Sequence, residues 1–231
     1  MFTKPRTAKK LYFDVIPQQV DDYLTYLEKS SEFGVRSLGK DSSAAPPPPE
    51  LRPPNSELLE NPVWHIHAGR VPAPESNIKF SMLLNLVSAC NAEDTSVLWG
   101  FLKRELPNAT PENSPMLAKL CGYAVRYYHD FVKPTKRYRA PTDLERQALG
   151  ELREYLATLA EGTSADDIMT RIYDLGLKYY SKETMREWFK AMYETLLGSP
   201  QGPRMGSFIH LFGAQSTMGL IDAALGMETV G

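Results

Sequence analysis

Little cysteine, no long apolar run and no charge excess of one sign characterise this 231-residue chain, and each shortage excludes a class of protein. Its two cysteines, Cys90 and Cys121, stand far apart with no Cys-x-x-Cys pair, which excludes a zinc knuckle or a dithiol redox motif and leaves two reduced, largely buried thiols. No stretch approaches the roughly 20 consecutive apolar residues that cross a bilayer. The N-terminus is basic and interrupted by proline, with no apolar run behind it to make a secretory leader, so the expected location is cytoplasmic and no membrane partner is expected. Lys plus Arg number 26 against 28 for Asp plus Glu, a balance that argues against coating nucleic acid by bulk charge and against DNA as a partner. No Gly-x-Gly-x-x-Gly or Walker-type loop is present to cradle phosphates at a helix N-terminus.

What is present reads as helix almost throughout, and the expected fold class is all-α. Between Asn113 and Phe131, Met116, Leu117, Leu120, Ala124, Tyr127, Tyr128 and Phe131 recur every three or four residues and predict one apolar stripe. Leu144, Ala148, Leu152, Tyr155, Leu156 and Leu159 repeat the pattern, as do Ile168, Ile172 and Leu175. Met185, Trp188, Phe189, Met192, Leu196 and Leu197 give the clearest stripe. Thr142 with Glu145 forms a capping-box signature, Ser164 with Asp167 a similar start, and Gly198 before Pro200 a stop. There is no Asn-Gly or Asp-Gly hairpin and no sustained alternation to signal a strand. The serines, glycines and prolines between Ser30 and Pro54 bury too little apolar surface to offset their ordering entropy, and predict a disordered linker or insertion. Pro134 and Pro141 predict a second break around a basic segment.

That segment, Arg126 to Arg139, reads RYYHDFVKPTKRYR and sets Arg126, Lys133, Lys136, Arg137 and Arg139 against Asp130 alone. A second basic run, Lys4, Arg6, Lys9 and Lys10, lies at the N-terminus. Single-stranded RNA is bound by cations on phosphate and by aromatic rings under unpaired bases, and Tyr127, Tyr128 and Tyr138 supply the rings. The competing reading makes the rings core and the lysines a solvated face. Further on, Gly202-Pro203-Arg204-Met205-Gly206-Ser207 is a turn in which Gly202 and Gly206 permit close approach of a ligand or of another backbone. Ser207 is placed to cap the following helix, and Arg204 offers a planar fork for phosphate or a base, or for a carboxylate that fixes the turn. His65 and His67 could share a metal on an extended segment, but no third ligand is near and no metal is expected. Asn91-Ala92-Glu93-Asp94 offers adjacent acids that suit a helix start better than catalysis. Trp99, Phe101, Trp188 and Phe189 read as core.

Three stretches carry a family resemblance: Met185 to Gly213, MREWFKAMYETLLGSPQGPRMGSFIHLFG; Ala8 to Tyr23, AKKLYFDVIPQQVDDY; and the region from Glu60 to Gly100. Together they resemble the C-terminal portion of bacterial class I lysyl-tRNA synthetases, and only Ser30 to about Ser56 aligns with nothing in that family. The resemblance implies a helical, stem-contacting bundle over residues 1–29 and 57–135, an insertion over 30–56, and an α-helical anticodon-binding cage over 136–231. It implies lysine tRNA as partner, with a catalytic domain or separate chain alongside. The family's His-x-Gly-His and Lys-Met-Ser-Lys-Ser-like signatures are absent, and His65 to Gly69 has the wrong order for the first. The chain is therefore expected to bind no cofactor, to leave ATP to the parent enzyme and to be inactive alone. By this resemblance Arg204, Gly202 and Ser207 lie near the anticodon, and Lys133, Lys136, Arg137, Arg139 and Arg126 contact backbone phosphate. The alternative is an all-α interaction domain whose basic and aromatic residues meet an acidic protein.

Overall fold

The computed structural model describes residues 13–36 and 59–226, with the backbone alone for 31–36, and every regular element among them is helical. The basic run at Lys4 to Lys10 lies outside the described residues, as does most of the proline-rich segment. Residues 30–36, expected to open that segment, instead continue helix α1, Ile16–Arg36. Ser30 is buried there, its hydroxyl donating to the Tyr26 carbonyl at 2.8 Å.

The chain divides into two compact units, residues 1–81 and 82–231. The break that Pro134 and Pro141 suggested falls inside the second unit, because the chain between them is held to helices on both sides, as shown below. In the first unit α1 meets the short helix α2, Pro62–Ile66. Asn61 caps α2 by accepting the Val63 amide at 3.0 Å, and its own amide donates to the Tyr26 carbonyl and the Ser30 hydroxyl, each at 2.9 Å. Pro62 suits the first helical position because the amide it lacks has no helical acceptor there. Asp21 accepts the Ser81 amide at 3.2 Å.

Helix α3, Phe80–Cys90, is followed in the second unit by α4, Thr95–Glu105, which starts on Asp94: its carboxylate accepts the Ser96 amide. Of the two adjacent acids, Asp94 thus sits at a helix start as expected, while Glu93 faces Lys133. Helix α5, Pro115–Tyr127, runs without a break into a π turn, Tyr128–Val132, and a 3-10 turn, Lys133–Thr135. The remaining helices are α6 (Asp143–Ala157), α7 (Ala165–Tyr179), α8 (Met185–Met192), α9 (Met205–Phe212) and α10 (Ala214–Leu225). A second π turn, Tyr193–Leu197, extends α8. The capping box at Thr142 is complete, the Glu145 amide bonding the Thr142 hydroxyl at 3.3 Å and the Glu145 carboxylate the Thr142 amide at 2.8 Å. Ser164 caps α7, and Gly198 ends the α8 extension in the left-handed region at φ +68.

Leu117, Leu149, Leu152, Ile172, Trp188, Met192, Phe208 and Ile221 are all buried, each contributing about 1.5–3 kcal/mol relative to exposure. Trp188 donates its indole N–H to the Ile172 carbonyl at 3.3 Å. Gly176 gives that ring its space, since a Cβ there would lie 2.6 Å from the indole. Helix α9 crosses α7 at Gly206, where a Cβ would meet the Ala165 carbonyl at 2.2 Å. The buried stripe of α5 is Leu117, Cys121, Ala124, Val125 and Tyr128, so it is narrower than the sequence suggested, and Phe131 stands outside it. Burial pushes the Cys121 thiol up to about 12, as befits a thiol that acts as a small core residue.

Candidate nucleic-acid interface

The two sequence-marked regions, Arg126 to Arg139 and Gly202 to Ser207, converge on one element, the π turn at the end of α8. Arg137 donates its backbone N–H to the Gly198 carbonyl at 2.8 Å, and the Tyr138 ring lies against Gly198, where a Cβ would come within 3.0 Å. From the same π turn the Tyr193 hydroxyl donates to the Pro203 carbonyl at 2.8 Å, which holds the Gly-Pro-Arg turn. Gly202 is needed because the Tyr193 ring occupies the space of its missing side chain, 2.4 Å from a Cβ. The close approach that Gly202 and Gly206 permit is therefore made by the protein's own Tyr193 and α7. π turns interrupt the regular ladder and recur at functional sites. Here one of them, Tyr128–Val132, lies within the basic segment, and the other, Tyr193–Leu197, ends at Gly198, which accepts the Arg137 amide.

The five cations of that segment divide into two groups. Lys136 and Arg139 turn inward. The Lys136 ammonium donates to the Ser88 carbonyl at 2.6 Å and sits 4.8 Å from the Tyr138 ring centre and 5.7 Å from that of Tyr128. Burial pushes its pKa down to about 8, while the carbonyl near the end of α3 and the two ring faces suit the charged form. Arg139 makes a bidentate pair with Glu145 at 2.6 and 2.8 Å, and its Nε donates to Glu194 at 2.7 Å. These bonds, led by those to Glu145, raise the guanidinium pKa still further. For Glu145 burial pulls the carboxyl up, but Arg139 and the Thr142 amide together outweigh it and hold the group below the usual range.

Arg126, Lys133 and Arg137 are exposed. Lys133 faces Glu93 at 3.6 Å, both side chains being about half exposed or more, and such a pair is worth little in water. Arg137 bends its guanidinium over the Pro134 and Lys136 carbonyls at 3.0 and 2.7 Å, and the residue stays exposed. Tyr128 is buried and donates to the Asn91 side chain at 2.7 Å, so it is a core ring. Tyr138 remains 43% exposed.

Arg204 also reaches solvent, pairing at 2.8 Å with Asp166 in the first turn of α7 while both stay largely exposed. It is Arg204, without a side-chain cap, that occupies the N-cap of α9; Ser207 is the third residue of the helix, a correction to its expected capping role. His65 and His67 have separate partners within the first unit. His65 bonds the Leu59 carbonyl at 2.7 Å, His67 the Tyr23 hydroxyl at 2.9 Å, and no cluster of three metal-ligating side chains occurs among the described residues. Sequence reasoning missed Tyr123, a half-exposed ring on the outer face of α5, and Glu194, whose partner lies far away in the chain.

In comparison with known proteins, the chain is similar to one class of protein, tRNA ligases. More particularly, it is similar along nearly its whole length to lysine–tRNA ligases. It is 45% identical over 228 residues to the lysine–tRNA ligase of Roseobacter denitrificans, covering 99% of this chain and 39% of that ligase. The ligases of Rickettsia felis and Rickettsia bellii are 40% and 42% identical over 226 residues, 97% of this chain and 39% and 40% of theirs. The chain thus spans about two fifths of the relatives it matches and is similar to a C-terminal portion of them. No family model matches the chain. No solved structure matches it either. Among the described residues no helix is long and apolar enough to cross a membrane.

Proposed function

We propose that this chain is the tRNA-recognition portion of a class I lysine–tRNA ligase, working in the cytoplasm. The observation that carries the reading is the 45% identity to a lysine–tRNA ligase over 99% of the chain. ATP and lysine activation belong to the rest of the ligase, a reading consistent with the lack of His-x-Gly-His and Lys-Met-Ser-Lys-Ser-like signatures in these residues. Arg126, Lys133 and Arg137 meet backbone phosphate, because their charges face solvent. Arg204, with Gly202 before it in the turn and Ser207 in the first turn of α9, lies at the anticodon. Lys136 and Arg139 hold the segment that displays Arg137, since their own charges are engaged inside the fold.

The test is binding of the full chain to the lysine-tRNA anticodon stem-loop and to one with a changed anticodon, over a salt series. Preference for the lysine loop is expected. Arg137→Ala should weaken both loops about equally and reduce the dependence of log K on log salt by about one phosphate contact. Arg204→Ala should blunt the preference. Equal binding of all loops by the wild type, or tighter binding to an acidic protein surface than to RNA, would overturn the reading.

A further inference from the structure

The outer face of α5 and its π turn presents two partly exposed aromatic rings, Tyr123 and Phe131, that the assignment of phosphate contacts does not use. Tyr123 is 56% exposed and Phe131 41%, and Tyr127 lies between them in the chain with its ring 4.9 Å from that of Phe131. The spacing of four residues puts all three on one side of the helix. The opposite side, Leu117, Cys121, Ala124, Val125 and Tyr128, is buried.

The π turn is what keeps Phe131 outside. In a regular α-helix, Phe131 would follow Tyr128 by three residues and return toward the buried face. A π turn is wider and advances less per residue, so Phe131 is left beside Tyr127. Nothing in the packing calls for an aromatic ring at 123, where a good helix former such as Lys or Ala would serve the exposed helix better.

Charge decides what such a face fits. Between Asn113 and Arg139 the only carboxylate is Asp130, and with Lys136 and Arg139 engaged inside the fold it stands against Lys119, Arg126, Lys133 and Arg137. Lys119 and Arg126 are exposed on the same helix as the rings. Apolar protein partners do not need this excess of positive charge, and helical acidic partners do not need rings. Rings interleaved with cations are the arrangement that takes unpaired bases on the rings and their phosphates on the cations.

We infer that Tyr123 and Phe131 form a stacking ladder for unpaired bases of an RNA loop, with Tyr127 packed against Phe131 between them and Lys119 and Arg126 on the adjoining phosphates. The inference rests on the tRNA-binding reading and adds to it a place where bases are held by their faces, whatever their hydrogen-bonding edges.

The test uses the full chain with the lysine-tRNA anticodon stem-loop carrying 2-aminopurine at single loop positions. The wild type should quench or shift the fluorescence of at least one position on binding. Tyr123→Ala and Phe131→Ala should lose that signal and weaken binding about fivefold or more with the salt slope unchanged, as expected for one lost stack. Tyr123→Phe should retain both, and Tyr123→Leu should behave as alanine, which separates stacking from simple apolar cover. Circular dichroism should show all four variants folded, because both side chains lie at the surface.

If the wild type prefers the lysine loop while Tyr123→Ala and Phe131→Ala bind it unchanged, the ladder is wrong and the tRNA-binding reading stands. If the wild type binds neither stem-loop, or binds polyglutamate as tightly, both fall.

Discussion

Replacing Arg139 by alanine should destabilise the second unit by roughly 2–3 kcal/mol at neutral pH, and the structure indicates where the loss arises. Arg139 gives two hydrogen bonds to Glu145 and one to Glu194. Glu194 keeps Lys190 at 3.5 Å, so its loss is small. Among the described residues Glu145 keeps only Thr142 as a partner, and its side chain is 10% exposed. Stranding one partner of a fully buried pair costs about 3–5 kcal/mol. Arg139 itself is 38% exposed, so water relieves part of that and the lower figure applies. For a unit of this size the loss corresponds to a melting temperature lower by roughly 4–12 °C. The assay is urea unfolding followed by buried Trp188, with the same substitution repeated in a Glu145→Gln background. With the charge gone from position 145, the cost of losing Arg139 should fall to about 1 kcal/mol. The pH dependence has a definite sign. The folded pKa of Glu145 is depressed, so the stabilisation is complete above the unfolded value near 4.3 and disappears as pH falls through the folded value. An equal cost in both backgrounds, or a cost that persists at pH 2, would refute the assignment of the loss to this pair.

Two further outcomes follow from the same geometry. Lys136→Met should leave the salt slope of RNA binding nearly unchanged, in contrast to Arg137→Ala. Because burial sets the folded pKa of Lys136 near 8, below its unfolded value of about 10.4, the unfolded chain binds the extra proton between them; wild-type stability should therefore gain from this group as pH rises from 8 to 10, and the methionine variant should lack that gain in pH-dependent unfolding. Gly206→Ala drives a methyl group into the Ala165 carbonyl and Met169, and should cost about 1–3 kcal/mol by overpacking, read as a lower denaturation midpoint; an unchanged midpoint would mean that α9 and α7 are not in contact there.

The helices were legible in the sequence because what starts and stops them is local. Thr142 and Glu145 bond across three residues, as do Ser164 and Asp167, and Gly198 ends its helix through its own backbone freedom. The apolar stripe of α8, with Trp188 and Met192, was equally plain, since burial follows from periodicity within one element. The lysine–tRNA ligase resemblance, too, rested on contiguous residues. The fate of the charges was not legible. Lys136 and Arg137 are neighbours in a run of like residues, yet Lys136 finds Ser88, 48 residues earlier, while Arg137 stays at the surface. Arg139 finds Glu194, 55 residues later. The same holds for Gly202, which makes room for Tyr193, and for Phe131, which the π turn leaves outside the core. A cap or a stripe is a relation between residues a turn apart, so the sequence contains it; whether a cation is engaged or available depends on which distant helix brings an acceptor within hydrogen-bonding distance, and only packing decides that.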